Sequence, residues 1–369
     1  MTAKFNMYKI FIDGHSGTTG LQIHQRLQGR SDIELLQISD ADRKNADAKR
    51  QIIESADVVI LCLPDQAAIE SVQLAGSGAT SDYLPNKVPN KTPDKMSNQI
   101  SKTVRFIDAS TAHRTHPDWV YGLPEMNPEQ RSKIASAQLV SNPGCYATGF
   151  LLPVMPLVER DLLNSSAMIT ISALSGYSGG GRSMMEKYQQ QSVEAPADLW
   201  HSRPYALALA HKHIPEMKHF ANLDHSPLFL PSVGHFAQGM LVSAGLFRGF
   251  FSDTLNPQKI FDIIASAYEN EACINVYGPN DESQLVDGFL DAQANNDTNS
   301  LDIFIFGNDE QSLLISRLDN LGKGAAGAAV QNLNLMLGTP ELEGLTIREP
   351  FREPFRESIQ EERQTGQSS

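Results

Sequence analysis

Of three cysteines, one stands where a thiol gains nucleophilicity. Cys145 lies in Ser141-Asn142-Pro143-Gly144-Cys145-Tyr146, directly after a Pro-Gly break. The apolar stretch from Ala147 to about Leu163 that follows reads as a helix, and a helix N-terminus favours thiolate over thiol. Cys62 falls in the apolar run Val58–Leu63, which reads as a core strand, and Cys273 lacks any comparable setting. A second cluster, His211-Lys212-His213-Ile214-Pro215-Glu216, places two imidazoles and a carboxylate beside a proline suited to starting a helix. It offers a general acid/base to thiol chemistry, with the Glu216 carboxylate orienting the ring. His213, nearer Pro215 and Glu216, is preferred over His211, although spacing alone does not choose between them. No other histidine or cysteine pair has ligand-like spacing, so no metal site is expected.

Three segments are suited to anions. Gly14-His15-Ser16-Gly17-Thr18-Thr19-Gly20 follows the strand-like Tyr8–Asp13 and opens a periodic helix. There, glycines let the backbone approach a pyrophosphate and free helix N–H groups bind its charge. The spacing is G-x-x-G-x-x-G rather than G-x-G-x-x-G. After the next strand, Ser39, Arg43 and Lys44 suit a ribose 2′-phosphate while Asp40 opposes one. Asp108-Ala109-Ser110-Thr111-Ala112-His113-Arg114 ends another strand with hydroxyls and an arginine fit for bidentate phosphate contact. Ser172 to Arg182, with Ser175, Gly179, Gly180 and Gly181, is a hydroxyl- and glycine-rich loop able to fold around an anion or cofactor.

These segments need a scaffold, and the chain supplies a legible one. Its 369 residues are enough for two domains. Acidic residues outnumber basic ones, 43 against 30, and the net charge of -13 argues against nucleic acid as a partner. No stretch approaches the ~18 unbroken apolar residues of a membrane span, and three unpaired cysteines suit a reducing, cytoplasmic setting. Short apolar runs at Tyr8–Asp13, Ile33–Ile38, Val58–Leu63, Val104–Asp108 and Gln138–Ser141 alternate with helical patterns, the signature of a parallel sheet covered by helices. Further strand candidates, Met168–Ala173, Leu228–Leu230, Gly239–Leu246 and Asp302–Gly307, fit a mixed sheet. The expected organisation is α/β: a Rossmann-type dinucleotide-binding domain over 1–142, an α+β catalytic and oligomerisation domain over 143–318, and a small-residue helix over 319–340 returning to the first domain. A mobile insertion is expected over about 75–102, rich in Gly, Ser, Asn and Pro, and a polar, disordered tail over 341–369.

Taken together, these motifs resemble N-acetyl-gamma-glutamyl-phosphate reductases, in particular their shorter, second type. The likeness runs through residues 8 to 338 in nine ordered blocks, among them Asn142-Pro143-Gly144-Cys145-Tyr146, His211-Lys212-His213, Pro231-Ser232-Val233-Gly234 and Asp319-Asn320-Leu321-Gly322-Lys323-Gly324-Ala325-Ala326-Gly327. Ala147 departs from the family pattern, which has proline at the second place after the cysteine. The resemblance implies a semialdehyde-dehydrogenase-like fold and NADPH-dependent reduction of N-acetyl-glutamyl 5-phosphate to the 5-semialdehyde in arginine biosynthesis, through a thioester on Cys145. It further implies that Gly14, Ser16, Gly17, Thr18, Thr19, Gly20, Ser39, Arg43, Pro64, Gly179, Gly180 and Asn320 hold NADP(H). Ser110, Arg114, Asn142, Ser175 and Arg182 would hold the substrate, Arg114 and Ser110 its phosphate and Arg182 a carboxylate. A homo-oligomer, dimer or tetramer, is expected. Aspartate-semialdehyde dehydrogenase, with related architecture and thiol chemistry, is the nearest alternative; a non-catalytic dinucleotide-binding sensor is another.

Overall fold

The computed structural model describes residues 7–39, 41–43, 45–76, 104–194, 200–252 and 256–348. Its first layer is a six-stranded parallel sheet built from β1 (Tyr8–Asp13), β2 (Ile33–Leu36), β3 (Val58–Leu61), β4 (Arg105–Asp108), β5 (Val120–Tyr121) and β6 (Leu139–Ser141), in the order β2-β1-β3-β4-β6-β5. Helices α1 (Thr18–Leu27), α2 (Ala46–Ser55), α3 (Asp65–Leu74) and α4 (Gln130–Ser136) connect the strands. Every residue of β3 is buried, which is why that segment reads as an unbroken Val/Ile/Leu run without alternation. The chain leaves β1 for β2 on one side and returns to β3 on the other. A crevice therefore opens beyond the carboxyl ends of β1 and β3, the place where such sheets bind ligands.

The second layer is a seven-stranded mixed sheet made of β7 (Thr170–Gly176), β8 (Ser202–Pro204), β9 (Leu228–Gly234), β10 (Met240–Phe247), β11 (Ile274–Pro279), β14 (Leu301–Gly307) and β15 (Gln311–Leu318). Its order is β11-β14-β15-β10-β7-β9-β8, and a small hairpin, β12 (Leu285–Val286) with β13 (Phe289–Leu290), stands beside it. Helix α5 (Cys145–Val158) packs on one face of this sheet with every residue from Tyr146 to Leu157 buried. Its surroundings are apolar on all sides, so the sequence shows no amphipathic stripe there. Helices α6 (Arg182–Glu194), α7 (Ile214–Phe220) and α8 (Pro257–Ala267) complete the layer. Then α9 (Gly327–Leu337) crosses back and packs Ala329, Val330, Leu333 and Met336 into the core of the first sheet with Ile10, Ile12 and Ile23.

Two sequence expectations change and one is extended. The expected loop through Arg182 is followed by a 13-residue helix, α6, whose mostly exposed, polar face left no apolar period to read. Cys62 lies just past β3, where it packs on the first core as expected and also lines the crevice. The tail boundary at 341 comes too early, since Glu341 pairs with Arg131, Leu342 and Ile347 pack on the second core, Leu345 packs on the first, and Arg348 reaches Asp302. Of the expected insertion and tail, 77–103 and 349–369 lie outside the described residues, as do Asp40 and Lys44.

Because residues 341–348 bridge both cores, a chain ending at Pro340 should melt several degrees below one ending at Arg348. Partial burial of three large apolar side chains is worth roughly 2–4 kcal/mol, or about 1–4 °C for each kcal/mol in a protein this large. Equal melting temperatures in a thermal scan would show that these contacts add nothing.

Candidate active site

A cleft of about 550 Å³ runs from the β1 and β3 ends to the edge of the second sheet. At its first end, Gly14 turns the chain at φ +92°, a backbone conformation glycine adopts without penalty. Gly17 precedes α1, with no side chain capping the helix, and Gly17, Thr18 and Thr19 line the cleft beside Cys62, Leu63 and Pro64. The uncapped N–H groups of a ten-residue helix facing a crevice fit a pyrophosphate. Gly20 and Gly14 shape the turn beneath, where a Cβ on Gly20 would collide with the Gly14 carbonyl. Gly179, Gly180 and Asn320 form the opposite wall. The Asn320 side chain is fixed there, accepting from the Gly239 N–H (2.9 Å) and donating to Ser178 Oγ (2.9 Å).

Cys145 is the first residue of α5 and lines the middle of the cleft. It sits against Gly144, whose Cα marks a three-way junction: a Cβ added there would strike Arg114 Nη1 and lie 2.7 Å from His213 Nε2. On the far side, a Cβ on Gly324 would lie 2.7 Å from Cys145 Cβ. The loop carrying Arg114 is pinned by buried Asp108, which accepts from Ser110 N (2.9 Å) and Oγ (2.8 Å) and contacts His113 Nδ1 at 2.6 Å. Arg114 donates through Nε to Asn142 O (3.0 Å), through Nη2 to Ala109 O (3.2 Å) and through Nη1 to Glu216 Oε2 (3.0 Å).

Glu216 does not orient either imidazole. Its oxygens accept from Arg114, from the Tyr121 hydroxyl (2.6 Å) and from the Gly144 N–H (2.8 Å), because α7 delivers the carboxylate beneath the loop before Cys145. The His213 ring presents Nε2 toward Gly144, and its Nδ1 has no hydrogen-bond partner among the described residues. His211 is set back, with Nδ1 accepting from the His213 N–H (3.1 Å) and Nε2 3.4 Å from the Tyr205 hydroxyl.

The electrostatics differ from those of a preformed ion pair. Burial pushes the Cys145 thiol up to about 11, outweighing the Arg114 charge and the Tyr146 N–H that favour thiolate. Burial and the nearby Arg114 hold His213 well below its ordinary value, and burial brings His211 down to about 4. In the resting site a neutral thiol thus faces a neutral imidazole.

Other expected residues take varied places. Ser110, Asn142 and Ser175 border the cleft, but the Ser110 hydroxyl donates to Asp108 and the Asn142 amide donates to Ala325 O (3.0 Å). Arg182 is on the rim, 73% exposed at its side chain and paired with Glu186 at 2.8 Å. Ser16, Ser39 and Arg43 are exposed and do not line the cleft; the Ser39 hydroxyl donates to Asp42 (2.7 Å). Sequence reasoning missed Lys212 and Tyr205 as cleft residues and Tyr121 as a partner of Glu216. Lys212 stands between the two histidines of the cluster and Tyr121 lies in a block shared with the family, but neither that block nor anything near Tyr205 indicates the partner each side chain meets in the fold.

Residues 9–134 match the family model of the semialdehyde dehydrogenase NAD binding domain, and 145–320 that of the semialdehyde dehydrogenase dimerisation domain. N-acetyl-gamma-glutamyl-phosphate reductase 2 of a Nostoc species is 49% identical over 346 residues, covering 92% of this chain and 100% of the relative. The chain belongs to the N-acetyl-gamma-glutamyl-phosphate reductase family. Family membership makes it an oxidoreductase of the semialdehyde dehydrogenase type. Aspartate semialdehyde dehydrogenase from Francisella tularensis shares the fold at a TM-score of 0.64 with 16% identity, over 90% of this chain and 100% of that one. The enzyme from Candida albicans, solved with NADP, does so at 0.57 and 14% over 90% and 98%. Among the described residues no helix is long and apolar enough to cross a membrane, and no cluster of side chains suits a metal ion.

Two outcomes follow from the junction. Gly144→Ala should lower kcat/KM at least 100-fold while leaving dinucleotide affinity within about threefold, since the added methyl displaces Arg114 and His213 and not the glycine turn; parent-like kinetics would refute the crowding. Acid should unfold the protein through its neutral histidines. The unfolded chain takes up protons near pH 6.5 and folded His211 only near 4, so stability is lost as pH falls across that window, about 3 kcal/mol from His211 alone. Urea midpoints of parent and His211→Gln between pH 7 and 4 test this, the variant losing correspondingly less.

Proposed function

We propose that the protein reduces N-acetyl-L-glutamyl 5-phosphate to N-acetyl-L-glutamate 5-semialdehyde with NADPH and releases phosphate, through a thioester on Cys145, as a step of arginine biosynthesis. The observation that carries this is the junction at Gly144, where a cysteine at a helix start meets an arginine and an imidazole inside a cleft that begins at a dinucleotide-type turn. Charge supports an anionic substrate. Arg114, Lys212 and Arg182 border the cleft, whereas the bordering carboxylate of Asp65 already accepts from Thr111 N (2.9 Å) and Oγ1 (2.6 Å). Among the described residues that border the cleft, no carboxylate is left unengaged for a free α-ammonium, which favours an N-acylated amino acid.

In this reading His213 Nε2 takes the thiol proton as sulfur bonds to the acyl carbon and passes it to the phosphate oxygen as the bond from that carbon breaks, so that phosphate leaves as the hydrogenphosphate dianion. Arg114 balances the leaving phosphate with N–H groups its internal partners do not use. A nicotinamide held along Gly179, Gly180 and Asn320 would supply the hydride that reduces the thioester. A proton taken up from solvent water through the His213 ring neutralises the resulting oxyanion; on collapse the hydroxyl proton returns to the ring as the carbonyl forms, and then to the departing sulfur. A neutral thiol and imidazole at rest suit this order, because charge separates only when the acyl group is present to receive sulfur.

The glycine turn over Gly14, Gly17, Thr18, Thr19 and Gly20, with Pro64, Gly179, Gly180 and Asn320, would hold the dinucleotide. Ser39 and Arg43, in the loop after β2, would meet the 2′-phosphate of NADP. Ser110, Asn142 and Ser175 border the substrate space, and Arg182 on the rim would meet its carboxylate. A homo-oligomer is supported by the exposed Leu228, Leu230, Leu313 and Phe247 in the domain matched to the dimerisation model, and a cytoplasmic setting by three free thiols.

In the reverse assay, N-acetylglutamate 5-semialdehyde, phosphate and NADP+ should give NADPH, with aspartate 4-semialdehyde at least 100-fold poorer in kcat/KM. Cys145→Ser should lose at least 1,000-fold in kcat with NADP binding intact, and Arg114→Lys should raise the KM for phosphate about tenfold. Preference for the aspartate compound would support the alternative substrate; turnover by Cys145→Ser would remove the thioester.

A further inference from the structure

Behind Cys145 the chain makes a π-helical turn, Gly322–Ala326, before entering α9. Gly324 and Ala325 of this turn face the cleft, and Gly324 abuts the cysteine. Lys323, between Gly322 and Gly324, points away into the interface between the two layers, its side chain 0% exposed. Its Nζ donates to Glu125 Oε1 (2.7 Å), itself wholly buried, and to Gln331 Oε1 (2.7 Å) on α9. Gln331 Nε2 in turn donates to Glu125 Oε1 (2.8 Å) and Glu341 Oε1 (2.8 Å), and Glu341 pairs with Arg131, which also holds Glu271. The opposite side of the turn is tied by the amide of Asn142 to Ala325 O, three residues before the cysteine.

A buried ion pair gains little stability over apolar residues of the same volume, because desolvation offsets most of the attraction. A π-helical turn carries one residue more than an α-helical turn and is held only where its surroundings dictate it. The Lys323–Glu125 pair is thus better accounted for by what it holds than by what it stabilises. We propose that Lys323 is a positioning residue: its tether to Glu125 and Gln331 keeps the π-helical turn in the register that presses Gly324 against Cys145 and so fixes the thiol in the cleft. The proposal rests on Cys145 as the nucleophile. Released from the tether, the turn relaxes toward α-helix, Gly324 withdraws, and water reaches the sulfur.

The test compares the full-length parent with Lys323→Met, which keeps the unbranched side chain without its charge, and with Lys323→Met/Glu125→Gln, which also neutralises the carboxylate left behind. Four quantities are read: the thermal midpoint, kcat and KM in the reverse assay, and the rate at which iodoacetamide labels Cys145 at pH 7 to 10, followed by peptide mapping. The double variant should fold with a midpoint near the parent's, lose at least tenfold in kcat with the KM for NADP+ within twofold, and label Cys145 at least fivefold faster at pH 8. Parent-like kcat and labelling in the folded double variant would overturn the proposal. So would failure of both variants to fold, which would assign the pair to folding alone. If instead the parent shows no turnover, the assigned reaction fails while the labelling comparison still reports on the tether.

Discussion

The Glu216 carboxylate is the point on which the site converges. Buried on α7, it receives donors from three separate segments: the Arg114 guanidinium from the loop after β4, the Tyr121 hydroxyl from β5, and the Gly144 N–H that precedes α5. A buried carboxylate is tolerable only when donors surround it, so each of those segments must stay where it can reach. The constraint joins the two layers at the residue before Cys145. It also holds the guanidinium at Gly144, while Nε and Nη2 donate to Asn142 O and Ala109 O and the side chain borders the cleft.

The surroundings of Cys145 trade reactivity at rest for control. Enclosure by Gly324, Tyr146 and the second core desolvates the sulfur, and that effect exceeds the favourable charge of Arg114. The same enclosure keeps His213 neutral and able to accept a proton. In the proposed reaction the thiol ionises only with its acyl partner present, which would shield it from adventitious oxidants and electrophiles.

The layered architecture explains why the cleft is shared. The parallel sheet places a glycine turn and the ends of β3 and β4 on one wall, and the mixed sheet supplies Ser175, Tyr205 and the histidine pair on the other. Helix α9 and the segment 341–348 then bind the layers together through apolar packing and the Arg131 and Asn334 contacts.

From the sequence alone, the alternation of strands and helices, the glycine turn after β1 and a helix just after Cys145 could be read, because each is set by local periodicity and backbone chemistry; the structure starts that helix at Cys145 itself and ends it at Val158. Apolar runs also told buried strands from exposed segments, whereas α6 escaped notice for want of an apolar stripe. Tertiary structure alone decided that Glu216 serves Arg114 and Gly144 in place of an imidazole, that His213 and not His211 reaches the junction, that Cys62 faces the crevice, and that Lys323 is buried. Partners in those contacts lie up to 198 positions apart along the chain, and no local rule of spacing records which buried charge will meet which donor once the two sheets close on each other.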